Sequence, residues 1–456
     1  MSRPRDRMPR SPSVATFLSF LWPGLGHWYG GRLRSAALYA IPVAVVLFIL
    51  VAQLARGLTA FAAQLIDPSV ALTVLVLVGL LAAWRILSMV DALALVGGRA
   101  ALRRRPGAVL AALAAVVLLT HGIAGYYAWA FYDAGSRIFV GEPGPDASAG
   151  PSGPTATGDP EYEATPLTTP ETREARITIL LTGVDSAPTR THALTDTLVV
   201  LTVDPETGKA AMVSFPRDIA QFPLWDGRTF KGKINSLMTY ARNHPREFPD
   251  GPLPTLIREL GYLLGTPIHY YAAIDLAGFE RMIDAVGGVT LDVERRIADA
   301  RYDWLDGSPN GFYLSAGRQH LDGRTALAYV RSRYGAGDND FTRAARQQQL
   351  LVALRAKLTD PAMLLKLPEI LDLAGDTIRT NFPPDRVSEM FELAGAIDEA
   401  GIRRVVLQPP EYSVHPPTSS TGGIYILRLH LEALASLSIE LFGQDSRYWN
   451  EDVPTP

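Results

Sequence analysis

The chain has 456 residues, a formal net charge of −3 and no cysteine. Its length fits two or three domains, the near-neutral balance argues against nucleic acid as a partner, and the missing thiols exclude disulfides and thiolate metal sites. Charge is unevenly spread: the first 134 residues are rich in Arg and poor in acids, and the remainder is acidic on balance.

A basic tail over residues 1–13 precedes a region, 14–134, that reads as membrane-embedded. No cleavable signal peptide is expected. Residues 14–30 contain PGLGHWYGG, broken by Pro23, Gly24 and Gly26. This segment reads as a re-entrant or interfacial hairpin with His27 as an interfacial polar residue, and its turn resembles the small two-span membrane modules of many bacterial proteins. Three longer apolar runs follow, at about 36–55, 70–96 and 108–132, each long enough to span a bilayer. The second contains Arg85 and Asp91, and Arg85 is expected to snorkel toward an interface. The third ends in Tyr126, Tyr127, Trp129, Phe131 and Tyr132, an interfacial aromatic belt. Arg32 and Arg34, then Arg99 and Arg103–Arg105, belong on the cytoplasmic side. Three spans from an inside start deliver the rest of the chain outside a bacterial membrane.

Residues 141–172 are Gly, Pro, Ser, Thr and Ala with scattered acids, the composition of a flexible tether. An ordered domain is expected over 173–445, followed by a tail, 446–456. Near-continuous apolar runs at ITILLTGVD, TLVVLTVD and AAMVSF predict strands buried on both faces. Helical patterns follow at 233–244 and 252–264, a strand at 268–275, a helix near 279–286 and a strand at TLDV. Strands are expected again at 403–408 and 424–427, with a helix over 428–441. Strands interleaved with helices imply an α/β fold, a three-layer α/β/α sandwich on a mixed sheet.

Three acids sit where open α/β sheets place ligands: Asp185 closes the first strand, Asp196 opens the second and Asp218 follows the third. Hard oxygen donors of this kind suit Mg²⁺, with Mn²⁺ as the alternative. Lys233, at a predicted helix start, is a candidate phosphate donor. The densest signal is YVRSRYGAGDNDFTRAARQQQ, residues 329–349. Asp322 is positioned to cap the helix before it. Extended backbone would then point Arg331 and Arg333 the same way. Arg343, Arg346 and Gln347 share one helical face. Guanidinium forks suit oxyanions, phosphate above all.

These motifs together resemble the LytR-CpsA-Psr (LCP) domain of bacterial cell envelopes. The resemblance rests on LTGVDS (181–186), TDT (195–197), SFPRD (214–218), KIN (233–235), AVGGV (285–289), ALAYVRSR (326–333) and DFTRAARQQQ (340–349). It implies an enzyme that takes a polyprenyl-pyrophosphate-linked glycopolymer and transfers its glycosyl phosphate to a peptidoglycan hydroxyl. It further implies that Asp185 and Asp196 hold the metal, that Arg217, Arg331, Arg333, Arg343 and Gln347 grip phosphate, and that Asp218 is a further site acid. One departure is Leu194, where the family usually carries an arginine. A lipid-pyrophosphate hydrolase and a non-enzymatic membrane regulator are the alternatives.

Overall fold

The computed structural model describes residues 10–139, 176–184, 195–304, 306–397 and 401–454. The expected tether lies outside them, as does Asp185. The chain forms two compact units, Met1–Asp133 and Ala134–Pro456.

The first unit is helical: α1 (Pro12–Leu21), α2 (Leu25–Tyr29), α3 (Leu33–Leu54), α4 (Leu58–Gln64), α5 (Pro68–Gly97) and α6 (Arg105–Ile138), the last running on into the second unit. Three of these, α3, α5 and α6, are long and apolar enough to cross a membrane. Asp67 caps α5 by accepting from the Ser69 amide at 2.8 Å. The PGLGHWYGG segment packs tightly, because a Cβ on Gly26 would fall 2.1 Å from the Ala15 carbonyl oxygen. His27 departs from the interfacial reading: it is 1% exposed, and its Nε2 lies 3.0 Å from Asp91 Oδ2. Its ring stacks on Tyr39, whose hydroxyl donates to the same carboxylate. Arg85 Nη2 donates to the Phe20 carbonyl at 2.8 Å, and its guanidinium lies over the Phe20 ring.

The second unit is built on a six-stranded mixed sheet. Its strands are β1 (Ile177–Val184), β2 (Thr195–Val203), β3 (Ala210–Ser214), β6 (Tyr270–Asp275), β11 (Ile378–Thr380) and β12 (Ile402–Val406), in the order β11-β6-β1-β2-β3-β12. The β1/β6 and β3/β12 pairs are parallel and the others antiparallel. Side chains alternate between faces. Leu180, Leu198, Val200 and Val213 enter one core with α7 (Leu237–Asn243), α8 (Pro252–Leu264) and α14 (Leu431–Phe442). Val199 and Met212 pack on the other face against Val352 of α11 (Asp340–Leu358), and Ile179 lies there beside α13 (Val387–Ala396). The result is a three-layer α/β/α sandwich.

A second core, around Ile283, Leu291, Tyr329 and Leu350, sits beside the sheet. It joins α9 (Leu276–Ala285), α10 (Gly323–Arg331) and α11 to the β7/β10 pair (Val289–Val293, Gly317–Leu321) and the β8/β9 pair (Ile297–Asp299, Phe312–Leu314). The hairpin β4/β5 (Ala220–Pro223, Thr229–Lys233) and α12 (Leu367–Thr377) complete the unit.

Two expectations change here. Residues 233–244 are not one helix: Lys233 ends β5, a 3₁₀ turn follows, and α7 starts at Leu237. Residues 424–427 form no strand, because only Leu427 pairs, in a single bridge to Ile219.

Candidate active site

The carboxyl ends of β1 and β6, with the N-terminus of α9, form the floor of a cavity of about 430 Å³. Its walls divide by chemistry. Leu181, Ala272, Ile274, Leu276, Phe279, Leu327, Val330, Leu350, Leu351 and Ile378 make an apolar interior. Arg217, Arg301, Arg331, Arg333, Arg343 and Gln347 supply the polar lining, together with Asp275, Asp299 and Asp303. That size and composition suit a bound organic ligand fixed by a few polar groups.

Local sequence explains how each arginine gets there. Asp322 caps α10, accepting from the Thr325 amide at 2.8 Å, and Arg331 is the helix's last residue. Ser332 then breaks the helix, and Asp299 catches the turn. Its carboxylate accepts from Ser332 Oγ at 2.8 Å and from the Arg333 and Tyr334 amides at 3.1 Å each. Arg331 and Arg333 line one cavity because this buried acid holds the turn. The Arg331 Nη1 is buried with no hydrogen-bond partner among the described residues, an orphaned donor of the kind an oxyanion satisfies. Asn339 and Thr342 form a capping box at the start of α11, which places Arg343 in the first turn. Asp340 lies 3.0 Å from Arg343 and 3.7 Å from Arg333, tying the two guanidinium groups together.

Two of the expected phosphate contacts lie elsewhere. Arg346 does not line the cavity. It is buried and donates to the Ser332 carbonyl at 2.6 Å, beside Asp338 at 3.6 Å and over the Tyr329 ring. Burial pulls its pKa below the usual guanidinium range. Lys233 forms an ion pair with Asp218, next to Arg217, whose Nε lies 3.9 Å from Asp218 Oδ2. The Gln triplet divides its work. Gln347 lines the cavity and donates to the Val330 carbonyl at 3.2 Å, Gln348 bonds to the sheet, and Gln349 accepts from the Tyr329 hydroxyl at 2.6 Å.

For the acids on strand ends the backbone gives partial information. Val184, the last described residue of β1, pairs with Thr195, the first of β2. The Asp196 side chain, like Asp185, lies outside the described residues. No cluster of three metal-ligating residues occurs among the described residues.

Sequence reasoning missed Asp299, Asp338 and Tyr302. Asp338 stands inside the quoted Arg-rich stretch, while Asp299 and Tyr302 carry no local signal and act through tertiary contact.

An α/β/α sandwich with a cavity lined by both apolar side chains and arginines thus follows three helices long and apolar enough to cross a membrane. The LytR_cpsA_psr family model matches residues 154–448, and the chain belongs to that family. It is 32% identical over 264 residues to the polyisoprenyl-teichoic acid–peptidoglycan teichoic acid transferase TagU of Halalkalibacterium halodurans, covering 58% of this chain and 77% of that one. It is 31% identical over 216 residues to TagV, named as the same activity, of Bacillus subtilis, covering 47% and 51%. The crystal structure of B. subtilis TagV aligns with a TM-score of 0.48 at 24% identity, over 59% of this chain and 97% of that one.

Proposed function

We propose that this protein transfers a glycosyl phosphate from a polyprenyl-pyrophosphate-linked glycopolymer to a hydroxyl of peptidoglycan, on the outer face of a bacterial membrane. The observation that carries this reading is a cavity lined by both apolar side chains and arginines. A prenyl chain gains about 0.8 kcal/mol per buried CH₂ in such an interior, and guanidinium groups match diphosphate oxygens. The names of the TagU and TagV relatives support the same chemistry.

In the reaction the acceptor oxygen bonds to the glycosyl-bearing phosphorus, the phosphoanhydride bond to the second phosphorus breaks, and polyprenyl phosphate leaves. Phosphoryl transfer is largely positioning plus electrostatic stabilisation. Arg217, Arg331, Arg333 and Arg343 neutralise the oxygens of the diphosphate, and Gln347 adds an amide. Asp218, held by Lys233, orients the acceptor hydroxyl and takes its proton. Asp185 and Asp196 are the residues that would hold Mg²⁺ or Mn²⁺. Their carboxylates are hard oxygen donors of the kind that suit such an ion. A bound divalent ion would supply further charge neutralisation. The clusters at Arg32–Arg34 and Arg99–Arg105 face the cytoplasm in this reading.

The test is product analysis with the full chain in lipid vesicles. Incubated with a polyprenyl-pyrophosphate glycopolymer and peptidoglycan, it should yield a phosphodiester-linked conjugate. Release of the same glycosyl phosphate at the same rate with water alone would make the protein a hydrolase.

A further inference from the structure

If the prenyl chain fills the apolar interior and the arginines hold the diphosphate, the acceptor must reach the phosphorus from the side of Arg217 and Asp218. Residues 412–429, which no step above uses, pair with the backbone at Asp218. The segment is laced to the strand that follows Asp218. Leu427 donates its amide to the Asp218 carbonyl at 2.9 Å, Ala220 donates to the Leu427 carbonyl at 2.8 Å, and Arg428 Nε donates to Gln221 Oε1 at 2.7 Å. Gln221 has a φ of 56°, the one positive φ outside glycine among the described residues. Such strain persists only where surrounding structure fixes it, so this strap is a built wall.

Two residues before Leu427, Tyr425 is 43% exposed. Its ring centroid lies 4.3 Å from that of His415, which is also exposed. His415 Nδ1 is 2.9 Å from the Ile426 carbonyl oxygen. A carbonyl can only accept, so Nδ1 carries the proton and Nε2 of the neutral ring is an acceptor. Burial, then the carboxylates of Asp218 and Asp340, push the Tyr425 phenol above its ordinary value. The exposed ring pair therefore stands beside Asp218, where the transfer reading requires a neutral, hydroxyl-bearing acceptor.

We propose that Tyr425, backed by His415, is the acceptor subsite: an aromatic platform beside Asp218 on which a neutral pyranose ring lies. The C–H bonds of a sugar's apolar face carry partial positive charge and settle on the negative face of an aromatic ring. Its hydroxyls are within the chemistry of the phenol and of His415 Nε2. The assignment rests on the transfer reading above.

The experiment is calorimetric titration of the full-length protein in detergent with the N-acetylglucosamine tetrasaccharide, alongside acceptor kinetics. Tyr425→Ala should weaken tetrasaccharide binding about tenfold and raise the KM for peptidoglycan similarly, while Tyr425→Phe stays within about twofold of wild type. Wild-type affinity in Tyr425→Ala, or absence of saturable binding by the wild type, overturns the subsite. An equal loss of affinity for farnesyl pyrophosphate also overturns it, by placing Tyr425 at the donor. If binding depends on Tyr425 but no conjugate forms, the subsite stands and the transfer reading falls. If conjugate forms and Tyr425→Ala leaves the acceptor KM unchanged, the reverse holds.

Discussion

At the scale of single residues, charge is placed by a buried acid in the cavity wall. Asp299 holds the turn between Arg331 and Arg333 through one hydroxyl and two amides, and it is 1% exposed. Asp299→Ala leaves those donors unpaired in the interior, at a cost of about 3 kcal/mol. Urea unfolding should show that loss, with activity falling in parallel. Arg331→Ala behaves differently, because its Nη1 leaves no hydrogen-bond acceptor unpaired and the side chain gives up chiefly its contact with the Tyr302 ring. Stability should fall by no more than about 1 kcal/mol, while transfer falls tenfold or more, since a charge-assisted contact is worth roughly 1.5–3 kcal/mol. Arg331→Lys should not restore it, since lysine lacks the planar fork. Arg331, Arg333, Arg343 and Gln347 were legible because their spacing was local. The Asp299 contribution was not: it sits more than thirty residues from the turn it holds, and an isolated Asp after a short strand reads as an ordinary turn residue. Arg346 and Lys233 show the converse. Sequence gives charge type but not whether a nearer acceptor, here the Ser332 carbonyl or Asp218, claims it first.

At the scale of elements, α11 couples the site to the sheet. Gln348 Nε2 donates within reach of the Met212 carbonyl, Ser214 Oγ and the Val405 carbonyl at 3.3, 2.9 and 2.8 Å, and the residue is 2% exposed. Gln348→Leu strips that amide from buried acceptors and should cost about 1–3 kcal/mol, read by thermal melting. Because Arg343 and Gln347 ride on the same helix, the variant should also weaken donor affinity. On the far side of the sheet, α8 buries Glu259 completely. Burial pushes its carboxyl up to about 8, with the Trp225 amide pulling the other way. The native state therefore keeps a proton that the unfolded chain releases near 4.5. This contribution to stability is complete below that value and is lost as pH rises toward and through 8. Glu259→Gln should raise the melting temperature at pH 8.5 by several degrees and leave it nearly unchanged at pH 4. Equal shifts at both pH values would refute the assignment. The strands β1, β2 and β3 were plain from their apolar runs. The strand expected at 424–427 was misplaced: Ile424 and Tyr425 are exposed, and the ladder forms at Arg428–Leu429 against Ser413–Val414.

At the scale of the whole molecule, two units with different solvents share one chain. The first is helical and apolar, with His27 and Tyr39 both bonded to the Asp91 carboxylate. The second carries the sandwich and the cavity. Their joint presence suits the proposed substrate, since a prenyl diphosphate would come from a bilayer and its chemistry needs a polar, arginine-lined site. The most direct measurement is a crystal structure of the protein with a polyprenyl pyrophosphate bound. The account predicts the prenyl chain against Phe279, Leu327 and Leu350, with the diphosphate oxygens contacted by Arg217, Arg331 and Arg343. A diphosphate bound away from these arginines, or a prenyl chain outside the cavity, would contradict it.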